Sequence, residues 1–253
     1  GSRCSATSAS SSVATISTDA LLSTNTLTTA GLSGTPFSSL SRYFERSMTM
    51  FAQGAIYPIF SKEEFEKDSV LERFDHQLKT SGLTTLNTLK PNFSWARSNI
   101  DEIKSAYDLK NYIILFPFCS PHLTIKKWPH YNKLIELVLG NYGDEYKIVT
   151  APGPSEINEA KDINAIALLD NGRALDISQL TSLIKGSTFV VANDTGPAHI
   201  TAHVETKGLT LFGKHTTAYK VSIERENFKA IEVSDLNNLS AEKVFERLSN
   251  SLS

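Results

Sequence analysis

Three short stretches carry side chains suited to holding a charged, hydroxyl-rich ligand. The densest is Phe189-Val-Val-Ala-Asn-Asp-Thr-Gly-Pro-Ala-His199. Its apolar start predicts a strand, Gly196 permits a tight turn, and Pro197 suits the first helical position, where no amide is missed. A helix starting there points unpaired amides outward, where they attract an anion such as phosphate. Asp194 is a ready acceptor for sugar hydroxyls, and His199 in the first turn can donate to a phosphate or a sugar. The competing reading makes Asn193 and Asp194 plain helix caps and His199 a packing residue. The second stretch, Ile113-Ile-Leu-Phe-Pro-Phe-Cys-Ser-Pro-His-Leu-Thr-Ile-Lys-Lys-Trp-Pro129, is again strand, loop and helix start. Lys126 reaches from that loop toward an anion in the same crevice, while Trp128 and Pro129 anchor the helix start. Read blandly, Lys126 and Lys127 are solvated surface charge. The third, Thr150-Ala-Pro-Gly-Pro-Ser-Glu-Ile157, is a turn after a strand, and places Glu156 where nucleotide-binding sheets hold ribose hydroxyls.

The elements that must position these residues alternate. Short apolar bursts at 113–118, 147–151, 165–169, 189–192, 209–212 and 230–233 have the length and composition of buried parallel strands. Between them lie amphipathic segments. One carries Trp128, Tyr131, Leu134, Ile135 and Val138 on a single face and stops at Gly140. Another carries Leu180, Leu183 and Ile184 and stops at Gly186. The last starts with Ser240 as N-cap and turns Val244, Phe245, Leu248 and Leu252 inward. Strand–helix alternation of this kind predicts an α/β, doubly wound parallel sheet over 111–253, with ligands bound beyond the carboxyl ends of the strands. Asp-Thr-Gly also occurs in aspartic proteases, which need an all-β setting and a second copy. This chain has neither, so that chemistry is excluded.

The remaining sequence sets outer limits. The 253 residues carry 25 basic and 27 acidic side chains, a net charge of −2, which gives no global electrostatic case for nucleic acid. The longest apolar run, 112–116, is far short of the ~18 residues needed to cross a bilayer. Cys4 and Cys119 are too few and too far apart for a disulfide framework or a metal site, which suggests a soluble protein of a reducing compartment with no metal. Nineteen of the first 40 residues are Ser or Thr, and only Arg3 and Asp19 among them are charged, so little packed structure is expected there. Gly1-Ser2 has the character of a cloning scar. From Tyr43 the chain reads as helical. A capping box at Ser61–Glu64, a stripe of Phe65, Leu71, Phe74 and Leu78, and a stop at Gly82 define one helix. Residues 84–96 have connector character, and a domain boundary is expected near Lys110.

Taken in order, Lys-x-Trp-Pro, the Gly/Pro turn with a Glu, Asn-Asp-Thr-Gly-Pro-x-His and Leu-Phe-Gly form a specific set. It resembles the ADP-heptose:lipopolysaccharide heptosyltransferases, over roughly residues 74–253 and most strongly over 113–213. The resemblance implies a GT-B fold of two Rossmann-like domains facing across a cleft, with this half binding the donor. It implies that Lys126 contacts donor phosphate or sugar, that Glu156 contacts ribose, and that Asp194 holds sugar hydroxyls. Thr195, Gly196 and His199 then line the diphosphate pocket. No cofactor is implied. The chain departs from the family pattern at 202–208 and at Lys214-His-Thr-Thr-Ala-Tyr-Lys220, where a proline-bearing loop is usual. Nothing in residues 1–60 matches the strand, Gly-rich turn and catalytic carboxylate that open the acceptor domain.

The expectation is therefore a donor-binding domain at 111–253, a mostly helical and incomplete acceptor remnant with interdomain helix at 41–110, and a Ser/Thr-rich leader at 1–40. The expected function is inverting transfer of heptose from ADP-heptose to a lipopolysaccharide core (lipid A-type) acceptor, with the catalytic base unassigned and expected from the N-terminal part. Cytoplasmic localisation with peripheral contact at the inner membrane follows from the resemblance alone. Two alternatives stand beside it: a non-catalytic nucleotide-sugar-binding module, and a general α/β module for some other anion.

Overall fold

The computed structural model describes residues 68–252. Six strands, β1 (Tyr112–Phe116), β2 (Lys147–Thr150), β3 (Ile166–Ala167), β4 (Phe189–Asn193), β5 (Gly208–Phe212) and β6 (Phe228–Glu232), form one sheet in the order β3-β2-β1-β4-β5-β6. Every neighbouring pair is parallel, with Leu115 of β1 in register with Thr150 of β2 on one side and Val191 of β4 on the other. All six predicted strands are present. β1 stops before Pro117, which has no amide for the ladder. β6 starts earlier than its apolar burst suggests, because Lys229 and Glu232 alternate with buried Phe228 and Ile231.

Among the described residues, six α-helices accompany the sheet: α1 (Val70–Thr80), α2 (Asp101–Ala106), α3 (Tyr131–Tyr142), α4 (Ile177–Lys185), α5 (Gly196–His203) and α6 (Ala241–Leu252). Alternate strand residues feed two separate cores. Ile114, Phe116, Val190, Ala192 and Phe212 pack with Leu183 and Ile184 of α4 and with Ile200 of α5. Ile113, Leu115, Phe189, Val191 and Leu211 pack with Leu134 and Ile135 of α3 and with Val244 and Leu248 of α6. Both faces are thus covered, which is why every residue of β1, β4 and β5 is buried and the strands are predominantly apolar.

Two helix ends differ from expectation. α3 runs through Gly140 and ends at Gly143, whose φ of 56° supplies the left-handed step a helix stop uses. A Cβ at Gly140 would meet nothing within 4 Å, so that glycine is an ordinary helical residue. The capping box of α1 is Ser69–Glu72, in which the Ser69 amide donates to Glu72 Oε2 at 2.9 Å. The box expected at Ser61–Glu64 lies outside the described residues. The predicted stop at Gly82 is present as a Schellman motif, with φ 81° and the Leu83 amide donating to the Leu78 carbonyl at 3.0 Å.

The segment before β1 is tied to the sheet domain by backbone contacts. Val70 N donates to Lys220 O at 2.9 Å, Phe93 N to His203 O at 3.0 Å, and Ser98 N to Ser182 Oγ at 2.9 Å. No helix among the described residues is long and apolar enough to cross a membrane.

Gly208 is the most closely approached of the described glycines. A Cβ there would lie 2.4 Å from the Val190 carbonyl oxygen and 2.9 Å from the Phe228 ring. A backbone oxygen inside a parallel ladder cannot step aside, so Gly208→Ala is expected to cost about 3 kcal/mol and lower the melting temperature by roughly 6–12 °C. Thermal unfolding of the variant within about 2 °C of the parent would contradict this packing.

Candidate functional site

The strand order changes direction between β1 and β4: the chain moves outward from β1 through β2 to β3, then returns to the other side of β1. Connections leaving β1 and β4 therefore part, and the region beyond their carboxyl ends is where open α/β sheets bind their ligands. The loop after β1 supplies Lys126, the turn after β4 supplies Asp194, Thr195 and Gly196, and α5 supplies His199. The loop after β5 adds His215.

Asn193, the last residue of β4, fixes this geometry. It is fully buried, and its Oδ1 accepts from the Trp128 amide at 3.3 Å and the Tyr131 hydroxyl at 3.2 Å. Its Nδ2 donates to the Pro117 carbonyl at 2.8 Å. One amide side chain thus ties the ends of β1 and β4 to the start of α3. Trp128 is buried against the same region and donates Nε1–H to Leu239 O at 2.8 Å. These bonds carry out the anchoring expected of Trp128, although α3 itself begins at Tyr131.

Asp194 is 4% exposed and collects three basic side chains from three segments. Lys126 Nζ lies 2.6 Å from Oδ2 and 3.5 Å from the Asp194 carbonyl oxygen. His215 Nε2 lies 3.1 Å from the same Oδ2, which requires the proton on Nε2. His199 Nε2 stands 3.8 Å from Oδ1, too far for a hydrogen bond. Burial alone would raise the Asp194 pKa; the His215 hydrogen bond and the charges of Lys126 and His199 overcome it and hold the carboxyl at about 2. His199 keeps 35% of its side chain exposed, but desolvation by the surrounding protein pushes its pKa down against the pull of Asp194. The imidazole is accordingly neutral near pH 7.

The reading of Asn193 and Asp194 as helix caps is overturned. The N-cap of α5 is Thr195, no side chain caps the helix, and the Thr195 hydroxyl donates instead to Asn193 O at 3.3 Å. The Ala198 and His199 amides fold back on the Thr195 carbonyl, and Pro197 has none, so Gly196 N–H is the amide the first turn offers outward. The bland reading of the lysine pair divides: Lys127 pairs with Glu159 at the surface, whereas Lys126 is 22% exposed and tied to Asp194.

Glu156 sits on the turn after β2 and curls onto it, with Oε2 accepting the Gly153 amide at 2.8 Å. Burial raises its pKa. It does not touch the Asp194 group. Burial pushes the Cys119 thiol up, and the thiol feels the charges of Lys127, Glu159, Glu156 and Lys126. The described residues hold no group of three or more potential metal ligands.

Sequence reasoning misses His215, because it falls in the loop that departs from the family pattern, where only spacing after Leu211-Phe-Gly213 signals a strand tip. It misses His203 as well. That residue is buried on α5 behind His199, with rings 6.5 Å apart, and its Nδ1 accepts from Arg225 at 3.2 Å. The bond requires an unprotonated Nδ1, consistent with burial driving its pKa well down.

A doubly wound parallel sheet with a lysine, a buried carboxylate and a helix start converging at its switch point is a Rossmann-like domain of the GT-B kind. The chain belongs to glycosyltransferase family 9 (heptosyltransferase), whose model matches residues 62–246. Among solved structures it is similar to Escherichia coli heptosyltransferase WaaC with ADP, at 20% identity and TM-score 0.53, covering 71% of this chain and 56% of that one. It is similar to E. coli ADP-heptose lps heptosyltransferase II, at 18% identity and TM-score 0.55, covering 73% and 62%. A family 9 glycosyl transferase from Veillonella parvula DSM 2008 gives 16% identity and TM-score 0.61, covering 80% and 65%. The alignments thus span 56–65% of the length of these three structures. No curated protein matches the sequence.

The depressed Asp194 pKa carries a pH signature. Its folded value of about 2 lies below the ordinary 3.8, so ionised Asp194 favours the fold. That contribution, ~2 kcal/mol, is complete above about pH 4 and disappears as pH falls through about 2. Asp194→Asn is expected to be less stable than the parent by about this amount at pH 7, with the gap closing between about pH 4 and 2. Urea unfolding at stepped pH measures it, and a pH-independent gap would contradict the assignment.

Proposed function

We propose that this chain binds the nucleotide-sugar donor of an inverting glycosyltransferase that moves heptose from ADP-heptose to a lipopolysaccharide core acceptor. The observation that supports it most is the pairing of Lys126 with Asp194 across the switch point, beside the uncapped start of α5. An arriving diphosphate offers Lys126 a stronger partner than a single carboxylate oxygen. Lys126 and the Gly196 amide then supply positive charge to the departing diphosphate as the glycosidic bond breaks. Asp194 stays ionised and accepts a sugar hydroxyl, Thr195 and His199 line the diphosphate pocket, and Glu156 faces the ribose.

The same reading assigns the acceptor-activating base to another part of the enzyme. A carboxylate with a pKa of about 2 is a poor acceptor for an alcohol proton at neutral pH. Binding without transfer is therefore the second reading, favoured by the weak basicity of the site's buried carboxylate. The lipid A-type acceptor, contact with the inner face of the inner membrane and a cytoplasmic location belong to the proposal and rest on the family alone.

Titration calorimetry with ADP tests the donor site. Lys126→Met keeps the aliphatic stem and removes the charge, and is expected to weaken ADP about tenfold or more, with a reduced salt dependence. Wild-type protein without affinity for ADP or ADP-heptose would overturn the proposal. Affinity for ADP-heptose with no transfer to a lipid A-type acceptor would establish the second reading.

A further inference from the structure

We infer that His215 is a positioning residue for donor recognition: it holds one oxygen of Asp194 so that the other faces the ligand. The inference deepens the donor-site reading and rests on it. The two carboxylate oxygens of Asp194 are treated unequally. Oδ2 takes both Lys126 Nζ at 2.6 Å and His215 Nε2 at 3.1 Å, from the loops after β1 and β5. The nearest base to Oδ1 is His199 at 3.8 Å, beyond hydrogen-bonding distance, so neither Lys126, His199 nor His215 occupies that oxygen. A ligand hydroxyl has one acceptor to choose.

Lys126 cannot hold that arrangement alone, because an anionic ligand competes for its ammonium. His215 can. Its side chain is only 9% exposed, and its ring lies parallel to Phe212 with centroids 5.9 Å apart and planes 16° from one another. Phe212 is itself a fully buried residue of β5, so the imidazole is braced against the core rather than free to follow the ligand. The Nδ1 atom is buried with no hydrogen-bond partner among the described residues. Only the Nε2 side of the ring is bonded, and that bond goes to Asp194. When Lys126 turns to a diphosphate, His215 keeps the carboxylate in place, and Oδ1 still receives the sugar hydroxyl.

The test uses the full chain with two substitutions and two probes. Calorimetry with ADP and with ADP-heptose separates anion binding from hydroxyl recognition. His215→Phe keeps a flat ring and loses the donor; His215→Gln keeps an N–H at a similar reach. The expected result is that His215→Phe changes ADP affinity by less than about threefold. It erases about tenfold of whatever additional affinity the sugar provides, a step of one hydrogen bond to a charged acceptor, and His215→Gln restores most of it. An unchanged ratio in His215→Phe, or equal loss in both variants, would overturn the assignment. A ligand-free arm reads the histidine directly: nitrogen-15 NMR of the wild type is expected to show His215 protonated on Nε2, with that signal displaced in Asp194→Ala. Protonation on Nδ1 alone, or indifference to Asp194→Ala, would overturn it. Failure of the wild type to bind either probe would count against the donor site, and the NMR arm would still decide the contact.

Discussion

A carboxylate stripped of water must be paired, and the architecture around Asp194 follows from that requirement. The group sits at 4% exposure where β4 ends, and ionisation there is sustained by a lysine from one side of the switch point and a histidine from the other. The pairing only works if three loops from three strands arrive at one place. The parallel sheet guarantees this, since all its carboxyl ends lie on the same edge. Charge at the tip and topology below it are therefore one constraint seen at two scales.

Asn193 converts the topology into precision. With both halves of its amide engaged by Pro117, Trp128 and Tyr131, the strand tip has no freedom to rotate Asp194 out of the crevice. Its partners belong to β1's continuation and to the start of α3, so the position of Lys126, two residues before Trp128, is set by the same bonds. Unsatisfied, that buried amide would be costly; satisfied, it makes the site rigid before any ligand arrives. In the proposed donor site, a fixed carboxylate beside a more exposed lysine divides the labour between the hydroxyl-bearing and the anionic ends of the ligand.

Much of this is legible in the residues. Buried parallel strands need apolar runs, and the bursts at 113–118, 189–192 and 209–212 announce β1, β4 and β5 to within a residue or two of Tyr112–Phe116, Phe189–Asn193 and Gly208–Phe212. Asp194, Thr195, Gly196 and His199 stand out because a strand running into Gly-Pro has few other outcomes. What stays hidden has physical reasons. Gly140 and Gly143 cannot be told apart by type, since only the backbone angle separates a helical glycine from a stop. Asn193 reads as a cap because its long-range partners are spread from residue 117 to 131. His215 lies 21 residues from Asp194 across a whole helix and strand, a contact no local spacing encodes.

The most direct test of the central claim is a crystal structure of the chain with ADP. The diphosphate is expected within hydrogen-bonding distance of Lys126 Nζ and the Gly196 amide, with Asp194 still held by His215. A diphosphate bound elsewhere on the sheet edge, with Lys126 left on Asp194, would contradict it.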